Sequence, residues 1–265
     1  MSECQIVTYE SEDFTMDLLK FGNGEKNMVI LPGLSLRSVL LSAKEIEKAY
    51  SSFCEKYTVY LFDRRREIPD TYSVTDMAED TFRAIRDLGL KDVYLYGVSQ
   101  GGMMAQVIAI NHGDNVKKLA LCSTVSEYDA TSEKMIGGWK DLARAGDCVS
   151  LNDNFFNSVY SDETLKNNKA LFSVLKMQGS KEDCERFYRL ADAIKGFSVT
   201  DRLKEINCET LVIGAKEDKV VSFKGIKLLA STLSGKFYAY EKFGHAVYDE
   251  APDVKERIFD FFENK

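Results

Sequence analysis

Short apolar runs alternate with longer amphipathic segments through the first half of the chain. Runs typical of buried strands cover residues 27–31, 57–62, 92–97 and 116–122. Segments with helical periodicity lie between them, over residues 39–56, 74–88 and 100–111. Strands that alternate with helices of this length indicate βαβ units, and therefore a mostly parallel sheet flanked by helices on both faces. A looser alternation over residues 4–9 and 13–20 predicts a hairpin ahead of this series.

The strand pattern stops near residue 126 and returns only near residue 209. Between these points the apolar side chains recur at three-to-four spacing, which is typical of amphipathic helices. Further strands are predicted over residues 209–215 and 236–241, and further helices over residues 223–233 and 252–262. We therefore predict one α/β core, residues 1–125 and 198–265, interrupted by a helical insertion, residues 126–197, that acts as a cap.

The overall composition narrows the class of protein. The 265 residues are 45% hydrophobic and include only 3 Pro, which favours a compact globular fold. Basic residues number 35 against 42 acidic ones, a net charge of −7, and this balance disfavours nucleic acid as a partner. No apolar run approaches the roughly 18 residues of a membrane span, and the N-terminal residues lack the pattern of a signal peptide. We expect a cytoplasmic protein with no membrane partner.

The six cysteines are scattered along the chain. They form no C-x-x-C pair and show no metal-ligand spacing. We therefore expect reduced thiols and no metal site, in keeping with a cytoplasmic location.

Residues 93–106, VYLYGVSQGGMMAQ, join a strand pattern to a helix pattern through a cluster of glycines around Ser99. Glycine tolerates positive φ and lets another backbone come close, so this cluster predicts a sharp and crowded turn with Ser99 at its apex. A G-x-S-x-G motif between a strand and a helix is the pattern of a nucleophile elbow. Ser99 is therefore the candidate nucleophile.

A serine hydroxyl is a poor nucleophile unless a base lies within hydrogen-bond reach and a third group orients that base. Of the two histidines, His112 lies about 18 Å along the helix from Ser99 and is disfavoured. His245 follows the last predicted strand, at the sheet edge that also carries Ser99. Glu217 and Asp218 follow the preceding strand, and either carboxylate could orient the imidazole. The chain order serine, aspartate, histidine favours Asp218.

Six segments of the chain resemble motifs of the α/β-hydrolase family, and they occur in the order that the family shows. They are ILPGLS, LFDRR, GVSQGG, VKKLALCST, ETLVIGAKEDKVVS and FGHAVYDEAP. The resemblance is to the branch of small soluble esterase-like and aminopeptidase-like enzymes with a helical cap. It implies the α/β-hydrolase fold and a Ser99, Asp218, His245 triad, and the DKVV that follows Glu217 resembles the acid loop and supports Asp218. Asp63 and Arg64 resemble a family turn that is mostly structural.

The oxyanion hole of this fold needs two backbone N–H groups, one from the residue after the nucleophile and one from the loop after the third strand. These positions are Gln100 and Leu34. The sequence departs from the family's commoner His-Gly pair, because Pro32 stands where histidine is usual. The donor belongs to the main chain, so we expect the hole to be retained.

The resemblance implies hydrolysis of a small ester or related acyl substrate through an acyl-enzyme on Ser99, with no cofactor. Two alternatives stay open. One is an aminopeptidase-like hydrolase of small peptides, which needs a carboxylate in the insertion to pair with the substrate amine; candidates are Glu133, Asp141 and Glu185. The other is a non-catalytic ligand-binding protein on the same fold. We expect substrate selectivity to lie in the insertion, whereas the sequence does not indicate the oligomeric state.

Overall fold

A single eight-stranded sheet forms the centre of the protein in a computed structural model that describes residues 4–264. Residues 1–3 and 265, at the two ends of the predicted core, lie outside the described residues. The strands are β1 (Gln5–Glu10), β2 (Thr15–Phe21), β3 (Lys26–Leu31), β4 (Tyr57–Arg65), β5 (Val93–Val98), β6 (Val116–Cys122), β7 (Glu209–Ala215) and β8 (Lys236–Tyr240).

The strands follow the spatial order β1-β2-β4-β3-β5-β6-β7-β8. β1 and β2 form the predicted hairpin, and β2 also pairs with β4 in the antiparallel sense. Every other neighbouring pair in this sheet is parallel. The carboxyl ends of β3, β5, β6, β7 and β8 therefore meet at one edge, where ligands bind in open α/β sheets. The prediction of a mostly parallel sheet is confirmed.

Eleven α-helices accompany the sheet in the described part of the chain. They are α1 (Ala43–Ala49), α2 (Val74–Asp87), α3 (Gln100–Asn111), α4 (Ala130–Arg144), α5 (Cys148–Val159), α6 (Asp162–Asn167), α7 (Lys169–Leu175), α8 (Lys181–Asp192), α9 (Phe223–Leu233), α10 (Val247–Glu250) and α11 (Val254–Phe262). None of these helices combines the length and the apolar character that a membrane crossing requires.

Apolar side chains pack on both faces of the sheet. α2, α3 and α9 cover one face, and their buried residues include Met77, Met104 and Leu229. α11 and the segment around α1 cover the other face, where Phe53 and Phe262 are fully buried. The central strands are consequently apolar along most of their length, which explains the short apolar runs in the sequence.

Two predicted helices differ from the structure. Residues 39–56 do not form one helix, because 3₁₀ turns at Val39–Ser42 and Ser51–Phe53 flank the short α1. Serines favour turns over helix interiors, and the turns bring Leu40 and Phe53 into the core. The last helix begins at Val254 rather than at residue 252, with Asp253 as its N-cap residue.

The helical insertion contains α4 to α8 and leaves the sheet between β6 and β7. Its two ends lie side by side. Glu127 and Ser198 form an antiparallel bridge. Val199 N donates to Ser126 O at 2.8 Å, which ties the outgoing chain to the returning chain. Both connections between the insertion and the core therefore pass through one place.

The prediction that all six cysteines are reduced thiols is wrong for one pair. Cys148 of α5 and Cys184 of α8 form a disulfide, with their Cα atoms 6.0 Å apart. The other four cysteines are free. The two bonded residues are separated by 36 positions, and only the packing of α5 against α8 brings them together. Their spacing in the sequence carries no signal of this contact.

Candidate active site

Ser99 occupies a sharp turn between β5 and α3. Its φ is 51° and its ψ is −119°, and its N–H donates to Cys122 O at 2.9 Å. The neighbouring glycines are required by close contacts, because a Cβ on Gly97 would lie 2.6 Å from Gly101 O and a Cβ on Gly101 would lie 2.1 Å from Leu31 O. No side chain fits at either position without moving the backbone. The structure therefore has the strained strand-turn-helix geometry of a nucleophile elbow.

A chain of hydrogen bonds links Ser99, His245 and Asp218. The Ser99 Oγ to His245 Nε2 distance is 2.9 Å, and the His245 Nδ1 to Asp218 Oδ2 distance is 2.8 Å. The His245 residue is only 4% exposed, and the Asp218 side chain is fully buried. The second carboxylate oxygen of Asp218 accepts from Val220 N at 2.8 Å and from Val221 N at 3.0 Å. The carboxylate is thus held in place on one side while it contacts the imidazole on the other.

The other residues that the sequence left open lie elsewhere. Glu217 is exposed beside the fully buried Asp218 side chain. His112, at the end of α3, bonds to Glu79 Oε2 at 2.8 Å through Nε2 and stacks on the ring of Phe82. These contacts hold the His112 ring at the end of α3 that is far from Ser99. Of the two carboxylates and two histidines considered, the structure brings Asp218 and His245 to Ser99.

Two backbone segments lie against Ser99 where the oxyanion donors are predicted. The loop of Pro32, Gly33 and Leu34 passes directly over the serine, since a Cβ on Gly33 would lie 3.2 Å from Ser99 Cβ. Gln100 is the first residue of α3, and the first N–H groups of a helix have no acceptor within it. The loop that contains Leu34 and the first residue of α3 therefore lie next to the serine, on two different segments.

Two residues after β6 hold the site and were not identified from the sequence. Ser123 Oγ donates to His245 O at 2.6 Å, and Thr124 Oγ1 donates to Ser99 O at 2.8 Å. β6 lies between β5 and β7, so its end reaches both loops. The motif that contains them was recognised, but nothing in it indicates these contacts.

The histidine loop is bonded to the helical insertion. Ala246 N donates to Val159 O at 2.8 Å. Glu250 accepts from Gly244 N at 3.0 Å and, through its other oxygen, from Ser161 Oγ at 2.6 Å. This carboxylate therefore joins the loop that carries the histidine to the start of α6.

The segments that carry the serine and the aspartate are bonded to the insertion as well. Gln100 Nε2 donates to Leu190 O of α8 at 2.6 Å. Ser222, four residues after Asp218, donates to the side chain of Asp129 at the start of α4. Each of the three segments of the candidate triad thus has a hydrogen bond to the insertion.

The acidic residues considered for an amine-binding role are not part of this arrangement. Glu133, Asp141 and Glu185 are all exposed, and Glu185 pairs with Arg189 at 2.8 Å. Nor do residues 4–264 contain a group of three or more His, Cys, Asp or Glu side chains placed to hold a metal ion.

Comparison with known proteins agrees with this architecture. The family model described as "alpha/beta hydrolase fold" matches residues 26–252, which is most of the chain. The protein therefore belongs to the α/β hydrolase family, as the sequence motifs predicted. The matched residues include strands β3 to β8, the candidate triad and the helical insertion.

Individual relatives are more distant. The chain is 26% identical over 216 residues to 2-hydroxy-6-oxononadienedioate/2-hydroxy-6-oxononatrienedioate hydrolase 1 of Pseudomonas putida, covering 73% of this chain and 71% of that protein. Among solved structures, it resembles MGS-M2, an α/β hydrolase enzyme from a Medee basin deep-sea metagenome library, with a TM-score of 0.84, 20% identity and 98% coverage of both chains. It also resembles an esterase from Exiguobacterium antarcticum, with a TM-score of 0.81, 21% identity and coverage of 98% and 100%. At these identities, the structural likeness shows the fold alone.

Proposed function

We propose that the protein is a serine hydrolase that cleaves a small ester or related acyl substrate through an acyl-enzyme formed on Ser99. The observation that carries this proposal is the continuous chain from Ser99 Oγ to His245 at 2.9 Å and from His245 to Asp218 at 2.8 Å. A strained serine with a hydrogen-bonded base, itself hydrogen-bonded to a buried carboxylate, is the arrangement that activates a hydroxyl nucleophile.

We propose a role for each group, and the geometry supports it. His245 Nε2 takes the Ser99 proton while Oγ attacks the substrate carbonyl, and the N–H groups of Leu34 and Gln100 stabilise the resulting oxyanion. The imidazolium then protonates the leaving group, whose bond to the acyl carbon breaks. A water molecule, deprotonated by the same imidazole, releases the acid and restores Ser99. Asp218 fixes the tautomer of His245 and stabilises its charged form.

The named relatives support hydrolysis without defining the substrate. One is a hydrolase of a dioate, and a solved structure of similar fold is an esterase. We propose that a small acyl compound is the substrate and that the helical insertion covers the site as a cap and sets its selectivity. Four bonds from the three triad segments to the insertion support this placement.

The test combines a covalent probe with a substrate panel. A fluorophosphonate probe should label wild-type protein at Ser99 and leave Ser99→Ala unlabelled. p-Nitrophenyl esters of graded chain length should be hydrolysed faster than aminoacyl-arylamides. Faster cleavage of the arylamides would favour the aminopeptidase alternative, although none of the three candidate carboxylates lies at the triad. A folded protein that neither reacts with the probe nor turns over any ester would instead be a ligand-binding protein.

A cytoplasmic location remains a proposal from the sequence. The Cys148–Cys184 pair offers a test of it, because disulfides persist mainly in oxidising compartments. Cell fractionation with thiol-trapping reagents distinguishes the two, since a cytoplasmic protein should be recovered with both cysteines alkylated.

A further inference from the structure

One nitrogen atom of Arg64 contacts both segments that carry the proposed oxyanion donors. Arg64 Nη2, near the end of β4, donates to Pro32 O at 2.8 Å and to Gln100 Oε1 at 3.1 Å. Pro32 begins the loop that contains Leu34, and Gln100 itself supplies the second donor. Because Nη2 carries two hydrogens, it can donate one to each acceptor. Arg64 is thus a direct bridge between the loop and the start of α3.

The bridge is made by a buried charge. Arg64 is only 5% exposed. Burial lowers the pKa of its guanidinium to about 10, partly offset by the neighbouring Asp63, so the group remains protonated near neutral pH. A buried charge is costly unless its hydrogen bonds are well made, and an apolar side chain of similar size would fill this space at lower cost. The hydrogen bonds of Nη2 are therefore the feature that distinguishes arginine from an apolar residue here.

The same contacts extend to α8 of the insertion. The Gln100 side chain, which accepts from Arg64, donates through Nε2 to Leu190 O at 2.6 Å. One turn earlier in α8, Arg186 Nη2 contacts Asp63 Oδ1 at 3.2 Å. α8 is consequently attached to the core through two neighbouring contacts, and one of them runs through the residue that follows the nucleophile.

We propose that Arg64 is a positioning residue for the oxyanion hole and that the side chain of Gln100 couples this hole to α8. The inference rests on the proposed function, because it concerns the same site. Oxyanion donors act when both lie about 2.7–3.1 Å from the developing charge. Here the two donors belong to separate segments, so their spacing depends on what joins those segments. Arg64 joins them directly, and Gln100 makes the position of one donor depend on the insertion.

The main variant is Arg64→Met, which keeps an unbranched apolar stem but removes the guanidinium and its hydrogen bonds. With p-nitrophenyl acetate, we expect kcat to fall by about 10- to 100-fold. This is no larger than the fall in kcat when a whole oxyanion donor is removed. KM should change by less than about twofold, since a displaced donor weakens transition-state binding rather than substrate binding. The rate of fluorophosphonate labelling should fall in parallel. Arg64→Lys should restore part of kcat because its ammonium can still donate hydrogen bonds.

Arg189→Met is the matched control. Arg189 also ties α8 to the core, through a 2.7 Å bond from Nη1 to Ile68 O, but it contacts neither Pro32 nor Gln100. We expect this variant to keep kcat and the labelling rate within about twofold of wild type. Gln100→Met retains the backbone donor and removes the link to Leu190. Its effect should be less than additive with Arg64→Met, because both changes act on one network.

Folding is checked by circular dichroism and Tm. The proposal is overturned if folded Arg64→Met keeps wild-type kcat, if its loss lies in KM alone, or if Arg189→Met loses as much activity. Should Arg64→Met not fold, unchanged kcat in Gln100→Met would overturn it. The proposed function fails separately, through labelling or turnover that survives in Ser99→Ala.

Discussion

The two ends of the central sheet are held by different kinds of contact. At the carboxyl ends of the strands, the hydrogen bonds fix loops: Ser123 holds the carbonyl of His245 and Thr124 holds the carbonyl of Ser99. At the amino ends of the strands, charged side chains attach the C-terminal segment to the sheet. Glu263 pairs with Lys26 and Lys56, each at 2.6 Å.

A buried lysine extends the contacts at the amino ends. Lys118, whose side chain is 5% exposed, donates to Phe261 O at 2.7 Å and lies over the ring of Phe261. Tyr57 OH also donates to Glu263 at 2.6 Å. These groups join the first residues of β3, β4 and β6 to the end of α11. The amino end therefore contributes mainly to stability, while the carboxyl end determines the geometry of the candidate triad. Substitutions at the two ends should separate activity from Tm.

The largest effect is expected for Ser99→Ala. Its kcat should fall by a factor of about 10⁴ to 10⁶, because a triad acts as a unit and the residual rate comes from binding and the oxyanion hole. Tm should not decrease, since the substitution removes only a hydroxyl from a half-buried position. The measurement is ester hydrolysis with the freshly purified variant. Retention of a tenth of wild-type activity would show that Ser99 is not the nucleophile.

Asp218→Asn should have the second-largest effect. We expect kcat to fall by about 10⁴-fold, because the amide fails to fix the tautomer of His245. Glu217→Gln is the matched control, as Glu217 is adjacent but exposed. It should retain activity. If Glu217→Gln is instead the damaging change, the wrong carboxylate has been identified.

Ser123→Ala is expected to lower kcat about tenfold, because small displacements of a catalytic group cost up to about 100-fold. The variant loses the 2.6 Å bond to His245 O and leaves the imidazole's other contacts intact. Ser126→Ala is the control, since its hydroxyl is also buried and bonds to Thr200 Oγ1 at 2.8 Å, away from the triad. Equal losses of kcat in the two variants would argue against a positioning role for Ser123.

Glu263→Gln should leave activity unchanged and lower Tm. Burial raises the pKa of Glu263, but hydrogen bonds from Lys26, Lys56 and Tyr57 outweigh this and lower it from 4.5 to about 2. A carboxylate with a lowered pKa contributes stability above its unfolded pKa and loses it as the pH falls through the folded value. The Tm difference between wild type and variant should therefore be full above pH 4.5 and shrink towards pH 2. A difference that is constant over this interval would contradict the assignment of these ion pairs.

The sequence predicted those parts of the site that depend on local pattern or on chain order. Ser99 was identifiable because the glycines that its turn requires are its neighbours in the chain. Leu34 and Gln100 were proposed as donors from their positions within the fold, and this assignment stays a prediction. The sheet was predictable as well, since strands buried on both faces leave apolar runs that stand out between amphipathic helices.

The remaining features depend on contacts between distant segments. Ser123 bonds to a residue 122 positions away, and the Gln100 side chain to one 90 positions away. No periodicity or motif records such a contact. The segment at residues 39–56 was predicted as one helix because its apolar spacing is helical, yet the burial of Leu40 and Phe53 favours two tight turns. In this segment, tertiary packing outweighed the local preference for a helix.

The bridge between Glu127 and Ser198 also bears on protein engineering. Because the chain leaves and re-enters the core at adjacent points, a helical module from another enzyme could be grafted between Ser126 and Val199 without stretching either junction. Such a chimera would need to reproduce the main-chain acceptors at Val159 and Leu190. The donor module should therefore be chosen by where its helices end rather than by its sequence.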